Sequence, residues 1–393
     1  MTEIVVVGAG IAGLFAAEAL RAEGFDGSLT VVGDESEDPY DRPPLSKSVL
    51  SGTVDLPDIA LTDEEAKVRL GASWLTGVKV IDFDPGARVI KTNDGRRLTA
   101  DGLVIATGTR ARLLPAAEGW TGIHHLRTFT DACSLRDDLD TAEQVVVVGG
   151  GFIGTEVASA AATLGKKVTL IAKQRLPLIT QLGTTVAQIV HDWHLASGVQ
   201  ILTDTQMEKF GGDGRVGEVI LADGRSIPAD VVVVGIGAEP NTEWLSQSGI
   251  QCDNGVLTDE WCRTTTRGVV AAGDVASYTT RSGRMRVEHW TNAKDMARAA
   301  AKTLVAELTG RQAAELPVHD PLPYVWSDQC GRRIQIAGRP VDGDEFEIVS
   351  GSSDAQFVGV YRRNGKVAAA LGVDSPREFG KLRRQLRESW ANR

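Results

Sequence analysis

The chain has 393 residues, 42% of them hydrophobic and 24% charged, with a formal net charge of −10 at pH 7. That length and core content imply two or three ordinary globular domains, while the acidic balance speaks against a general nucleic-acid binder, which needs a basic footprint. No apolar run approaches the roughly 20 residues that cross a bilayer, and Met1-Thr2-Glu3 lacks the basic flank of a secretory signal, so a cytoplasmic location without membrane association is expected.

The first element is a strand at 4–7, and Gly8-x-Gly10-x-x-Gly13 follows it and opens a helix-like stretch. A glycine turn between strand and helix presents free backbone N–H groups and a positive helix end to a pyrophosphate. The next strand, 29–32, runs into Gly33-Asp34-Glu35, where an acid normally accepts hydrogen bonds from an adenosine ribose; Asp34 is the first choice and Glu35 the second. Further on, the turn signal Asp94-Gly95 leads into a doubly buried strand that ends in Ala106-Thr107-Gly108.

The same order then repeats. A strand at 145–148 is followed by Gly149-x-Gly151-x-x-Gly154, and Asp223-Gly224 leads into the run 231–234 and Gly235-Ile236-Gly237. In both copies the Asp lies fourteen residues before the closing Gly, which identifies two related nucleotide-binding units. The copies differ after the second strand: the run 167–171 ends in Ala172, with Lys173, Gln174 and Arg175 next. With no acid there and two cations nearby, a ribose 2′-phosphate is accommodated as readily as a hydroxyl, so NADPH stands beside NADH.

After Pro317 short alternating runs at 333–337, 345–349, 356–361 and 367–371 read as an antiparallel sheet, and Ser375-Pro376-Arg377-Glu378 as a capped start to a helix through 381–390. The four cysteines, Cys133, Cys252, Cys262 and Cys330, lack the spacing of a disulfide framework, a Cys-x-x-Cys pair or a plant-type iron–sulfur site. No metal site is expected, and any cluster belongs to a partner.

Several segments carry a family resemblance: Asp38-Pro39-Tyr40-Asp41-Arg42-Pro43-Pro44-Leu45-Ser46-Lys47, Ala106-Thr107-Gly108, Gly273-Asp274 and Val325-Trp326-Ser327-Asp328-Gln329. Together they resemble the FAD-dependent NAD(P)H:ferredoxin reductases of bacterial oxygenase systems, on the glutathione-reductase-like fold, over nearly the whole chain. The resemblance implies an α/β fold with two Rossmann-like dinucleotide-binding domains and an α+β C-terminal interface domain. FAD is expected on residues 1–113 and 236–316, NADH or NADPH on 114–235, and the interface domain at 317–393.

By that resemblance Gly8, Gly10, Ala12, Gly13, Asp34, Glu35, Arg42, Lys47, Val80, Ala106, Thr107, Gly108, Arg127, Gly273, Asp274 and Trp290 hold FAD. Gly149, Gly151, Phe152, Ile153, Gly154, Glu156, Lys173, Arg175 and Gly237 hold the nicotinamide dinucleotide. Lys47 is implied near flavin N5 and paired with Glu156, the two forming the catalytic pair. Trp290 stands before a helix expected at 293–308, whose N-terminus favours negative charge on reduced flavin. His289 is assigned no role.

A hydride carries two electrons, whereas an iron–sulfur protein takes one at a time, and a flavin reconciles the two. Thiol-relay enzymes of this fold keep cysteine beside the flavin, and the stretch 40–47 has none, so electrons are expected to leave the flavin directly. The expected acceptor is a [2Fe-2S] ferredoxin serving a cytochrome P450 or ring-hydroxylating oxygenase, reached through Trp326 and steered by the basic residues Arg332, Arg333, Arg339, Lys381, Arg383 and Arg384. A monomer or weak homodimer is expected. Two alternatives stay open: a rubredoxin or quinone reductase, and a redox-sensing interaction protein like the apoptosis-inducing-factor branch of the fold.

Overall fold

A computed structural model describes residues 2–281, 283–312 and 315–391. The chain groups into two compact units. The first comprises Met1–Asp41, Ile59–Arg110 and Glu239–Pro321, and the second Arg42–Asp58, Ala111–Ala238 and Leu322–Arg393. Arg42 and Lys47 thus belong to the second unit, as does the C-terminal module. Among the described residues no helix is long and apolar enough to cross a membrane.

The first unit is built on a parallel sheet in the order Val269–Ala271, Gly102–Ile105, Glu3–Val7, Ser28–Val32, Ser73–Leu75. Its central strands are near-continuous Val, Ile and Leu because helices and loops cover both faces. The helices Ile11–Ala22 and Trp290–Leu308 pack on each other. Ala16, Ala17, Ala297, Ala300 and Ala301 are all fully buried, and such small side chains let two helix backbones approach closely. The second of these helices starts at Trp290, three residues earlier than the apolar periodicity indicates, because Trp290 and Thr291 carry no periodic signal of their own. A three-stranded antiparallel sheet, Val80–Asp84, Val89–Thr92 and Arg97–Thr99, completes the layer. Asp94-Gly95 forms its tight turn, with Gly95 at φ +86°.

The second unit repeats that plan. Its parallel sheet runs Gln200–Leu202, Lys167–Ile171, Gln144–Val148, Val231–Val234, Ile123–His124. Its antiparallel partner is Met207–Gly212, Val216–Leu221 and Ser226–Pro228, turned by Gly224 at φ +87°. The duplication read from the Asp-Gly spacing is therefore a duplication of strand order in four strands, while the edge strand follows the others in the chain in the first unit (Val269–Ala271) and precedes them in the second (Ile123–His124).

The C-terminal module of this unit is a five-stranded antiparallel sheet in the order Tyr324–Gln329, Arg332–Gly338, Lys366–Val373, Phe357–Arg363, Glu345–Gly351. Alternation along the strands sends residues to two different cores. Ile334, Phe357 and Leu371 pack with Leu182, Val186 and Val190 of the helix Ile179–Ala196. Val358 and Ala370 pack instead with Phe379 and Leu386 of the helix Pro376–Ala391.

Candidate functional site

In the first unit the glycine turn is closed from below by backbone. A Cβ on Gly8, which sits at φ +115°, would lie 2.1 Å from the Ala106 carbonyl oxygen, and one on Gly13 would lie 1.8 Å from that of Gly8. Gly10 caps the helix Ile11–Ala22 without any side-chain hydrogen bond, so its first N–H groups are left for a ligand. Gly273, at φ +77°, comes within 2.8 Å of the Ala12 methyl by the same test. Gly8, Gly10, Ala12, Gly13, Ala106 and Gly273 are thus brought to one place.

The acid turn is placed beside this cradle. Gly8 donates to Val32 O at 2.7 Å, and a Cβ on Gly33 would meet the Ala9 methyl at 2.5 Å. Asp34 is exposed, whereas Glu35 is half-buried and accepts a hydrogen bond from the Tyr40 hydroxyl. Asn241, not singled out by the sequence, clamps the Thr107-Gly108 turn: its amide donates to Thr107 O at 2.9 Å and its N–H to Gly108 O at 3.0 Å. Asp274 lies in the turn Gly273–Val275, with its carbonyl accepting from Arg286. Val80, at the start of the antiparallel sheet, is buried in the main core of the first unit.

Trp290 opens its helix and donates through Nε1 to Asp41 Oδ1 at 2.7 Å. It meets Phe15 edge-on, centroids 6.5 Å apart, with the Lys294 ammonium over both rings. Two residues further, Asn292 Oδ1 accepts from Tyr278 at 3.0 Å and from His319 Nε2 at 3.2 Å. Burial pulls the His319 pKa down to about 4, so this imidazole is neutral at neutral pH.

The second unit repeats the cradle. A Cβ on Gly149, at φ +122°, would lie 2.2 Å from Gly235 O, and one on Gly154 would lie 2.0 Å from Gly149 O. Nothing stands within 4 Å of where a Cβ on Gly151 would be. The floor is closed and the mouth open, which is the shape a diphosphate requires. Phe152 packs towards the Leu182 core, Ile153 is 44% exposed, and Gly237, at φ +112°, faces open space. Arg42 donates to the Arg127 carbonyl at 2.6 Å, so these two arginines are neighbours.

Two residues beyond Gly154, Glu156 is only 5% exposed. One of its oxygens accepts from Lys47 Nζ at 2.7 Å and Ser46 Oγ at 2.5 Å; the other accepts from Ser327 Oγ at 2.5 Å and the Asp328 N–H at 3.4 Å. Lys47 is also held by the Pro43 carbonyl at 3.1 Å. A buried carboxylate is tolerable because every lone pair has a donor. The pairing of Lys47 with Glu156 is thus present in this unit.

Behind this cluster lies a layer that sequence reasoning missed. Gln329 Nε2 donates to Ser327 Oγ at 2.8 Å and to Thr155 Oγ1 at 2.9 Å. Both hydroxyl protons are already committed, one to Glu156 and the other to the Gly151 and Phe152 carbonyls. The Gln329 oxygen therefore faces His194, 2.9 Å from its Nε2, and that nitrogen carries the proton. His194 Nδ1 is buried without a partner, and burial pulls the imidazole pKa below its ordinary value, so His194 is neutral. The one clue was spacing: Ser327 and Gln329 share a face of the strand Tyr324–Gln329.

Trp326 points to the other face of that strand, 6.0 Å from Tyr324 between ring centroids, and the Arg383 guanidinium caps Tyr324 at 3.8 Å. Of the basic residues, Arg333 is paired with Asp328 at 2.8 Å and Arg332 lies over Trp193. Arg339, Lys381 and Arg384 are exposed.

Two backbone cradles of one design define a protein that holds two dinucleotides. Residues 2–297 match the model of the pyridine nucleotide-disulphide oxidoreductases and residues 324–391 that of the reductase C-terminal domain. The chain belongs to the pyridine nucleotide-disulphide oxidoreductase family. It is 36% identical over 380 residues to the benzene 1,2-dioxygenase system ferredoxin–NAD(+) reductase subunit of Pseudomonas putida, covering 96% of this chain and 90% of that protein. To the rhodocoxin reductase of Rhodococcus erythropolis it is 35% identical over 388 residues, covering 98% and 89%. Among solved structures it resembles the reductase in the covalent putidaredoxin reductase–putidaredoxin complex, with a TM-score of 0.91 and 33% identity over 98% of this chain and 93% of that one.

Proposed function

We propose that this chain passes electrons from a reduced nicotinamide dinucleotide, through bound FAD, to a [2Fe-2S] ferredoxin that serves a cytochrome P450 or a ring-hydroxylating oxygenase. The observation that carries the reading is the pair of glycine cradles closed by Ala106 O and Gly235 O in equivalent positions. Relatives named as ferredoxin reductases along nearly the whole chain support the choice of acceptor. In this reading FAD belongs to residues 1–113 and 236–316, the nicotinamide coenzyme to 114–235, and the ferredoxin-facing surface to 317–393. The protein works as a cytoplasmic monomer or weak homodimer.

Bound FAD supplies the conversion between paired and single electrons. The chain binds and orients. Gly8, Gly10 and Gly13 seat one diphosphate, Asp34 and Glu35 the adjoining ribose, and Gly149, Gly151 and Gly154 the second diphosphate. Asp274 accepts from a ribityl hydroxyl, and Arg42, Val80, Thr107, Gly108 and Arg127 complete the flavin's surroundings, with Phe152, Ile153 and Gly237 around the coenzyme. Glu156 holds the Lys47 ammonium at a fixed point, and its four donors fix the carboxylate in place. Trp290, tied to Asp41, fixes the start of a helix whose positive end favours a reduced, electron-rich flavin. Trp326 is the exit towards ferredoxin, and Arg339, Lys381 and Arg384 attract its acidic surface.

Anaerobic stopped-flow mixing of the FAD-loaded chain with NADH or NADPH, then with a purified [2Fe-2S] ferredoxin, tests this. Rapid loss of oxidised-flavin absorbance followed by ferredoxin reduction is expected. Reduction of a rubredoxin or a quinone in preference to the ferredoxin would replace the acceptor, and a flavin inert to both coenzymes would overturn the reading.

A further inference from the structure

We infer that the second unit contains a site for the 2′-phosphate of NADPH, formed by Lys173 and Arg175, and that this chain takes the phosphorylated coenzyme in preference to NADH. The inference rests on reading this unit as the nicotinamide-dinucleotide module.

The duplicated fold allows residue-by-residue comparison of the two ribose loops. Gly8 donates to Val32 O at 2.7 Å and Gly149 to Ile171 O at 2.9 Å, so Val32 and Ile171 are equivalent. Gly33 then donates to Leu75 O at 2.9 Å and accepts from Val78, while Ala172 donates to Leu202 O at 2.8 Å and accepts from Thr205. Glu35 accepts from Gly77 at 2.8 Å, and Gln174 accepts from Asp204 at 3.3 Å. The alignment is therefore Gly33 with Ala172, Asp34 with Lys173 and Glu35 with Gln174. Where the first unit offers two carboxylates to ribose hydroxyls, the second offers a cation and a neutral amide.

An acid at this turn excludes a ribose phosphate by charge, and a cation attracts it. The loop is held against its own cradle. Leu178 donates to Gly150 O at 2.8 Å, and a Cβ on Gly150 would meet Pro177 at 3.2 Å and the Ala172 methyl at 3.1 Å. Lys173 and Arg175 are exposed between these anchors, and neither pairs with a carboxylate among the described residues. Arg175 donates to Thr184 Oγ1 at 2.7 Å through one Nη, which orients the guanidinium and leaves its other donors for a phosphate. Asp204, bonded to the loop by its backbone, ion-pairs with neither cation. A dianionic group set near two unpaired cations is a recognition element, not a tolerated appendage.

Isothermal titration of the FAD-loaded chain with adenosine 2′,5′-bisphosphate and, separately, 5′-AMP tests this without turnover. At low salt the bisphosphate is expected to bind at least about tenfold more tightly, with the advantage shrinking as salt is raised. The double variant Lys173→Glu/Arg175→Glu is expected to abolish that advantage, and Arg175→Gln to reduce it, with the flavin spectrum reporting that each is folded. Equal binding of the two ligands, or an advantage that survives the double variant, overturns the inference and leaves the dinucleotide reading standing. Binding of neither ligand overturns both.

Discussion

The two glycine cradles share a backbone and differ in what stands around it. A Cβ on Gly8 or Gly149 would lie 2.1 or 2.2 Å from the Ala106 or Gly235 carbonyl oxygen, and one on Gly13 or Gly154 would lie 1.8 or 2.0 Å from that of Gly8 or Gly149. Yet two residues past the third glycine the first unit has Phe15, edge-on to Trp290, and the second has Glu156, gripping Lys47. Two residues past the second strand the pair is Asp34 against Lys173. In the proposed reading, diphosphate binding is a property of backbone conformation, which duplication preserves, and the choice of ribose and the redox chemistry lie in side chains that duplication left free to diverge.

The largest expected effect breaks the two cradles separately. Gly13→Val and Gly154→Val place carbon where a carbonyl oxygen already is, and dinucleotide affinity is expected to fall by about a hundredfold or more. Gly13→Val should purify colourless, whereas Gly154→Val should keep its flavin absorbance and lose reduction by either coenzyme. Loss of FAD from both variants would show that the cradles are not independent.

Next comes the charge that only the second unit holds. Glu156→Leu leaves Ser46, Ser327 and the partly exposed Lys47 without their acceptor, and about 3 kcal/mol of stability is expected to be lost. Hydrogen exchange should show the loss in the helix Phe152–Thr163 and not in the helix Ile11–Ala22. Glu156→Gln keeps the shape, so a smaller loss is expected, with slowed flavin reduction in single-turnover mixing.

Each unit also buries one neutral histidine, and pH sharpens the comparison. With its pKa lowered to about 4 in the fold, against an ordinary value of 6.5, His319 favours folding fully above pH 6.5. That contribution is lost as pH falls from 6.5 towards 4, because the unfolded chain binds a proton that the folded one refuses. A loss of roughly 2–3 kcal/mol across this window is expected from the shift, seen as faster hydrogen exchange in the helix Trp290–Leu308. His319→Gln should flatten the dependence, and an unchanged slope would assign it elsewhere. The smallest effect is Trp290→Phe, which keeps the Phe15 contact but removes the bond to Asp41, at about 1 kcal/mol by thermal unfolding.

The glycine motifs, the Asp-Gly turns and the alternating C-terminal strands were readable in the sequence because each is a local demand of the backbone. The start of the helix at Trp290 was not, since its first residues carry no periodicity. Nor was the layer of Ser46, Ser327, Gln329 and His194 around Glu156. Hydroxyls and amides have no characteristic spacing, and the bond from Ser327 to Glu156 spans 171 residues. The pairing of Lys47 with Glu156 came from family resemblance rather than from pattern, and the donors that make it tolerable emerged only in three dimensions.

Ser327 and Gln329 have a consequence for recombining these proteins. The strand that carries them brings two of the groups on which the buried carboxylate of Glu156, in the helix Phe152–Thr163, depends, so residues 322–393 are no detachable cartridge. Swapping that segment between relatives to retarget the electron acceptor would transplant half of a polar lock without its key. Grafts that carry the positions of Thr155, Glu156 and His194 along with the strand should inherit a matched set, and those that cut at residue 322 alone should not.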